Sequence, residues 1–276
     1  MADALDEEIG RVRQWYNLVA DAFVRRYDGE SGWYLARAEE DLLHAVCRLD
    51  GGAVLDLGTG GGRLLPRLKS VARHVVGVDV SEGLLARAVR AGRTPVVQMD
   101  ATRLAFKPET FDAVVSLGLF EYVAELDLFL REIARVLRPG GQVAFTYHQI
   151  ARYRRSIAEP PDAAYFGRTV EERSRYWSKR RHRRREVEDA LTRAGFGRIQ
   201  SYRLFFRIPQ ALHELGGRYE AGSGVRTILR SAVLLLERGL SRGLRPVTRF
   251  STGNALVTAR LVGATTARGK ETIPWR

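Results

Sequence analysis

Apolar residues recur at helical spacing over residues 4 to 26 and again over 33 to 48, which predicts two amphipathic helices separated by the glycine-containing turn "YDGESG". From residue 53 the rhythm changes. "AVLDLG" reads as a strand, "GRLLPRLKSV" as a helix, "HVVGVDV" as a second strand, and "SEGLLARAVRAG" as a helix with Ser81 as N-cap and Gly92 as C-cap. "TPVVQMD" and "FDAVVSL" follow as the third and fourth strands, "LDLFLREIARVL" as a helix and "GQVAFTY" as the fifth strand. Further along, "REVEDALTRAGF" is helical, and "GRIQSYRLFF" and "GNALVTARLVG" read as the sixth and seventh strands. Short strands that are apolar on both faces and alternate with helices lie between two helical layers, so the pattern predicts a doubly wound α/β sheet.

The same pattern divides the chain. Residues 1–50 form an N-terminal helical cap, 51–208 the core with a polar, Arg- and Pro-rich segment at 148–183, 209–251 a mainly helical insertion, 252–264 the last core strand, and 265–276 a tail. A length of 276 residues with 45% hydrophobic content suits one decorated domain.

Charge adds an asymmetry. Residues 1–150 carry 18 basic and 21 acidic side chains, a net of −3, so the remaining 27 basic and 11 acidic side chains of residues 151–276 give +16 of the total +13. The surplus points to an acidic partner for the second half, whether nucleic acid, anionic headgroups or an anionic substrate; a solvated Arg-rich surface explains it equally. The single cysteine, Cys47, falls in a helical stretch, so no disulfide or thiolate metal site can form within one chain. The opening "MADALDEEIG" has no apolar leader core, and no run approaches the roughly 18 apolar residues of a membrane span, so a cytoplasmic compartment is expected.

"VLDLGTGGGR", Val54 to Arg63, is a strand entering a glycine-rich turn at a helix start, where bare backbone N–H groups can meet a polar ligand. A dinucleotide fingerprint beginning at Gly58 needs glycine at 63, and Arg63 stands there. Asp79 ends the second strand 21 residues after Gly58, and Asp100 ends the third. Carboxylates on consecutive strand ends suit a nucleoside carrying a cationic sulfonium better than a pyrophosphate.

Taken together, "VLDLGTGGGR", "VVGVDVS", "QMDATRLAF", "FDAVVSLGLFEYV" and "LRPGGQVAFT" resemble, in order, the five motifs of the class I S-adenosylmethionine-dependent methyltransferases, particularly their small-molecule and quinone-type members. The resemblance implies a Rossmann-like, seven-stranded methyltransferase fold with S-adenosylmethionine as cofactor. It places Asp56, Gly58, Thr59, Gly60 and Gly62 along the methionine part, Asp79 on the ribose, Val80 on the adenine, and Asp100 with Ala101 at the adenine amino group. Leu117 is implied as a backbone contact. "WYNLVADAFVRRYD" is similar to the helix that precedes the core in such members, so Tyr16 and Tyr27 are expected either to cap the cofactor or acceptor or to pack on the sheet.

Methyl transfer from a sulfonium is an in-line displacement, so the protein chiefly aligns donor and acceptor. An acceptor that loses a proton also needs a base at the carboxyl edge of the sheet. His148, directly after the fifth strand, is the best-placed candidate, joined by Glu121 and Tyr122 in "LFEYV"; many relatives carry Glu-His there, so Tyr122 departs from the pattern. No His, Asp or Glu cluster shows metal-ligand spacing, so no metal is expected, and no Asn-Pro-Pro-Tyr-type loop follows the fourth strand.

"VRTILRSAVLLLERGLSRGLR", residues 225–245, separates arginines from aliphatics on a helical wheel, as an interfacial membrane helix does and as a helix packed on its own domain also does. The expected function is methyl transfer to a small-molecule acceptor, lipid-like or anionic. An RNA methyltransferase and a non-catalytic cofactor-binding protein are the alternatives; nucleic acid is disfavoured because no separate recognition domain is visible. "KRRHRRRE", Lys179 to Glu186, runs straight into the helix "VEDALTRAGF", which marks it as a positive rim near the acceptor entrance or as a solvated face.

Overall fold

The structure, a computed structural model, describes residues 2–28, 30–148, 180–203 and 254–262, together with positions 171, 172, 175, 176, 228 and 232. All but two positions of the insertion at 209–251, most of the 148–183 segment and the tail lie outside the described residues.

Seven strands form one sheet: β1 (Ala53–Leu57), β2 (His74–Asp79), β3 (Val96–Gln98), β4 (Phe111–Ser116), β5 (Leu137–His148), β6 (Phe196–Arg203) and β7 (Asn254–Leu261). Their order is β3-β2-β1-β4-β5-β7-β6. The first five run parallel, and β7 lies antiparallel between β5 and β6. The order reverses between β1 and β4, which opens a crevice beyond their carboxyl ends, the place where such sheets bind ligands.

Alternation along β1 assigns the two helical layers. Leu55 and Leu57 join the core shared with α6 (Leu126–Val136) and α7 (Arg184–Arg193), in which Phe129, Ile133 and Leu191 are fully buried. Val54 faces the other way, with Leu43 of α3 (Glu30–Val46) and Leu65 and Leu68 of α4 (Leu65–Lys69). Asp56 shares the Val54 parity, so its carboxyl is carried to that second layer, beneath the glycine turn.

The helix expected over residues 4 to 26 divides into α1 (Ala2–Leu18) and α2 (Ala20–Arg25) at Val19, whose φ of −100° and ψ of 10° leave the helical region. The break turns Val24 onto the glycine loop, so closely that a Cβ on Gly61 would lie 2.8 Å from its Cγ2. Helix α4 starts later than expected because Gly62 holds a φ of +70° and Pro66 occupies the first turn. Helix α5 (Glu82–Arg90) matches its sequence signals: the Ser81 hydroxyl accepts from the Leu84 amide, and Gly92 follows the C-cap Ala91 at a φ of +67°. Among the described residues no helix is long and apolar enough to cross a membrane.

Candidate active site

Leu57 ends β1, and the chain then turns back on itself through Gly58 and Gly60, with φ of +77° and +54°. The amides of Gly58 and Thr59 both donate to the Val78 carbonyl, at 2.8 and 2.9 Å, fastening the turn to β2. Asp79, the last residue of β2, receives the Gly60 amide on Oδ2 at 2.8 Å and the Ser81 amide on Oδ1 at 2.9 Å. Burial raises its pKa, while these N–H groups pull the other way. Asp100 is set in the same manner: Oδ1 accepts from the Thr102 amide and Oδ2 from the Thr102 hydroxyl, both at 2.8 Å. These carboxylates, with Val80, Ala101 and Met99, line a cleft of about 590 Å³ whose other wall is α1.

A second cleft, of about 1030 Å³, adjoins the first at Gly58 and runs over the glycine loop between Tyr27 and Leu117. Asp56 lies in its floor. The Thr59 hydroxyl donates to the Asp56 carboxyl at 2.6 Å, and burial pushes that carboxyl up to about 6. Arg63, read in sequence only as a missing glycine, reaches across to α3. It donates to Glu40 at 2.8 Å, to Glu39 at 3.1 Å and to the Ala36 carbonyl at 3.1 Å. Its guanidinium also sits 4.8 Å from the centre of the Tyr27 ring. An arginine at this position cross-links the loop to the helix that covers it.

At the carboxyl ends of β4 and β5 the polar groups come from side chains. Glu121, in the 3-10 turn Phe120–Tyr122, and His148, the last residue of β5, bring Oε2 and Nε2 to 2.6 Å. Glu121 is buried, whereas His148 is about one-third exposed. The segment after Lys179 supports both: the Arg180 amide donates to the Glu121 carbonyl at 2.9 Å, and the His182 amide to the His148 carbonyl at 3.1 Å. Phe120 forms the base, stacked on Phe145 at 4.4 Å between centroids and met edge-on by His182. Tyr122 turns towards α1, edge-on to Tyr16 at 5.5 Å, and burial beside Glu121 and Tyr16 raises its phenol well above the usual tyrosine value.

The family model described as a methyltransferase domain matches residues 55–145. These residues are a class I S-adenosylmethionine-dependent methyltransferase domain. The chain is 44% identical over 105 residues to the phosphatidylethanolamine N-methyltransferase of Cereibacter sphaeroides, covering 36% of this chain and 51% of that protein. It is 35% identical over 149 residues to the demethylmenaquinone methyltransferase of Clavibacter sepedonicus, covering 50% and 58%. The chain thus spans about half the length of these curated relatives. Among solved structures, the [4+2]-cyclase SpnF aligns with a TM-score of 0.60 at 23% identity, covering 91% of this chain and 96% of that one. Such likeness shows a shared fold, and a shared fold does not choose the chemistry.

The methyltransferase domain's residues fit the cofactor. A Cβ on Gly58 would lie 2.9 Å from that of Leu119, so only glycine keeps the floor between the two clefts open. The Asp79, Asp100 and Asp56 carboxylates supply polar partners that a nucleoside and an amino acid need, while the Gly58, Thr59 and Gly60 amides hold the loop in place. Of the residues expected at the cofactor, Asp79, Val80, Asp100 and Ala101 line the first cleft; Asp56, Thr59, Gly60, Leu117 and Tyr27 line the second; Gly58 lines both. Gly62 is packed instead against Arg93, Ala88 and Leu65. Tyr16 is buried among Trp15, Val19 and Leu84 beneath Tyr122. Sequence reasoning did not single out Glu8, Thr102, Leu119 or Arg180; Glu8 carried the signal of one helical face shared with Leu5, Ile9 and Val12, and Arg180 lay in the cationic run read as a rim near the acceptor entrance or as a solvated face. Among the described residues no group of three or more His, Cys, Asp or Glu side chains could hold a metal ion.

Proposed function

We propose that the protein transfers a methyl group from S-adenosylmethionine to a lipid-like or quinone-like small molecule, with His148 and Glu121 receiving the acceptor's proton. The observation that carries this reading is the 2.6 Å contact between His148 Nε2 and Glu121 Oε2, at the same sheet edge as the Asp79–Asp100 cleft. The names of the two relatives, one acting on phosphatidylethanolamine and one on demethylmenaquinone, support the acceptor class.

Bound in the two clefts, S-adenosylmethionine supplies an electrophilic methyl group. Asp79 accepts the ribose hydroxyls, Asp100 and Ala101 meet the adenine, and Asp56 with the Gly58 and Gly60 backbone holds the amino-acid end. His148, whose Nε2 faces the Glu121 carboxylate at 2.6 Å, takes the proton of an acceptor O–H or N–H as the methyl group arrives. Glu121 then stabilises the imidazolium. Tyr122, whose phenol is held neutral, serves as a hydrogen-bonding wall and leaves the base role to His148. The amphipathic stretch 225–245, all but two positions of which lie outside the described residues, is assigned contact with an apolar acceptor at the membrane surface.

The test is mass spectrometry of lipid and quinone extracts incubated with isotopically labelled S-adenosylmethionine. Label is expected in the organic-soluble fraction with the wild type and to be lost with His148→Ala. Donor binding by calorimetry with no label in any extract would sink the transfer reading.

A further inference from the structure

Leu5, Glu8, Ile9 and Val12 recur at i, i+3, i+4 and i+7, and this one face of α1 forms the wall of the first cleft opposite Asp79 and Asp100. Further along, α1 is fixed by burial of Val12, Trp15 and Tyr16. Its first ten residues have no fully buried side chain among those described, and two described ion pairs tie that end to the rest of the fold. One is Asp6 with Arg103, both more than half exposed and therefore weak. The other is Glu8, whose two carboxylate oxygens take both terminal nitrogens of Arg180, at 2.8 and 3.2 Å, with side-chain exposures of 22% and 32%. A two-pronged, half-buried pair of this kind fixes geometry as well as charge.

Arg180 has a second attachment through its main chain, the hydrogen bond that its N–H donates to the Glu121 carbonyl. Two residues on, the His182 amide holds the His148 carbonyl. One short segment therefore grips both members of the proton-accepting pair by the backbone and the wall of the cofactor cleft by a side chain. Glu8 and Arg180 are 172 residues apart in sequence, and they pair at the cleft wall that Glu8 lines.

We propose that Arg180 is a positioning residue that couples seating of α1 over the bound cofactor to the alignment of the Glu121–His148 pair. The proposal rests on the reading of these clefts as donor and acceptor sites. A cofactor pressing on α1 tightens the Glu8–Arg180 pair, and the tightened Arg180 main chain fixes the turn that carries Glu121. Acceptor activation is then strongest when the donor is in place.

Three variants test the coupling: Arg180→Ala, Glu8→Ala, and the exchange Glu8→Arg with Arg180→Glu. Hydrogen exchange followed with and without S-adenosylmethionine needs no turnover, so its outcome is separate from that of the transfer reading. In the wild type the cofactor is expected to slow exchange in α1 and also at the Arg180 and His182 amides. Each single variant is expected to lose the second protection, to weaken cofactor binding by about fivefold, and to lower kcat by more than it raises the acceptor KM. The exchange is expected to restore both protection and affinity to within about twofold, which a merely structural loss would not do. Protection of Arg180 and His182 that persists in the single variants, or an exchange variant that melts like the wild type yet restores nothing, overturns the proposal.

Discussion

At the ends of β2 and β3 the cleft presents Asp79, held by the Ser81 amide and by the Gly60 amide of the turn after neighbouring β1, and Asp100, held by the amide and hydroxyl of Thr102. At the ends of β4 and β5 it presents Glu121 and His148, which are held by each other and by a segment that returns more than thirty residues later. The donor half is therefore set by short turns on adjoining strands close in sequence, whereas the acceptor half also depends on a distant part of the chain. A donor common to a family can be held by rigid, sequence-local turns; an acceptor that differs between members needs parts that can change without disturbing them.

The largest expected effect breaks the acceptor half alone. His148→Ala is expected to lower kcat by about 100-fold or more, since a positioned base is worth roughly 10²–10⁴ in rate. Affinity for S-adenosylmethionine is expected to stay within about twofold, because His148 lines neither donor cleft. Steady-state kinetics paired with calorimetry checks this. A comparable loss of donor affinity would show that the halves are not separate.

The same division explains what could be read from the sequence. Asp79 was legible because it ends the strand that its hydrophobic run marks out, and Gly58 and Gly60 because a strand must turn sharply to enter a helix; Asp100 was read as the end of the third strand, but β3 stops at Gln98 and Asp100 lies two residues beyond, in the turn closed by Thr102. Glu121 and His148 were legible singly, as polar residues after strands, but their contact was not. It follows from the parallel register that sets Ser116 of β4 beside Phe145 of β5. Arg63 was read only as an absent glycine, because its partners Glu39 and Glu40 belong to another helix. Arg180 stood within a run of cations that resembled a solvated rim, and nothing near it in sequence pointed to Glu8. The break at Val19 was likewise hidden: the apolar spacing continues through it, and the turn is made by packing onto the loop.

A smaller effect sharpens the donor half. Gly58→Ala forces a side chain into a φ of +77° and brings its Cβ to 2.9 Å from Leu119, which itself lines the first cleft. The expected cost is about 1–2 kcal/mol of stability, with donor affinity weakened about tenfold as Leu119 yields into the cleft. Denaturant melts and calorimetry separate the two. An unchanged affinity would mean that the cofactor does not approach the loop at this point.

The smallest effect concerns the floor of the second cleft, and its sign can be worked out. Burial raises the Asp56 carboxyl from its ordinary 3.8 to about 6, so between these values the folded protein binds a proton that the unfolded chain releases. The stability that Asp56 contributes is thus fully present below pH 3.8 and is lost as the pH rises through about 6. Above that, the buried charge is a net cost relative to a neutral group of the same shape. Asp56→Asn is therefore expected to raise stability at pH 7.5 by about 1 kcal/mol, less than the two-unit shift alone implies, because the new amide hydrogens need partners in a buried site. The donor's cationic amino-acid end reverses the preference: it favours the ionised carboxylate, so wild-type affinity should strengthen as the pH rises through about 6, with proton release on binding below it. The variant should bind more weakly at pH 7.5 and lose that pH dependence. Melts and calorimetry from pH 5 to 8 test both parts; a variant that is less stable at pH 7.5, or one that keeps the wild-type pH dependence, would show that Asp56 is not the group that meets the donor's charge.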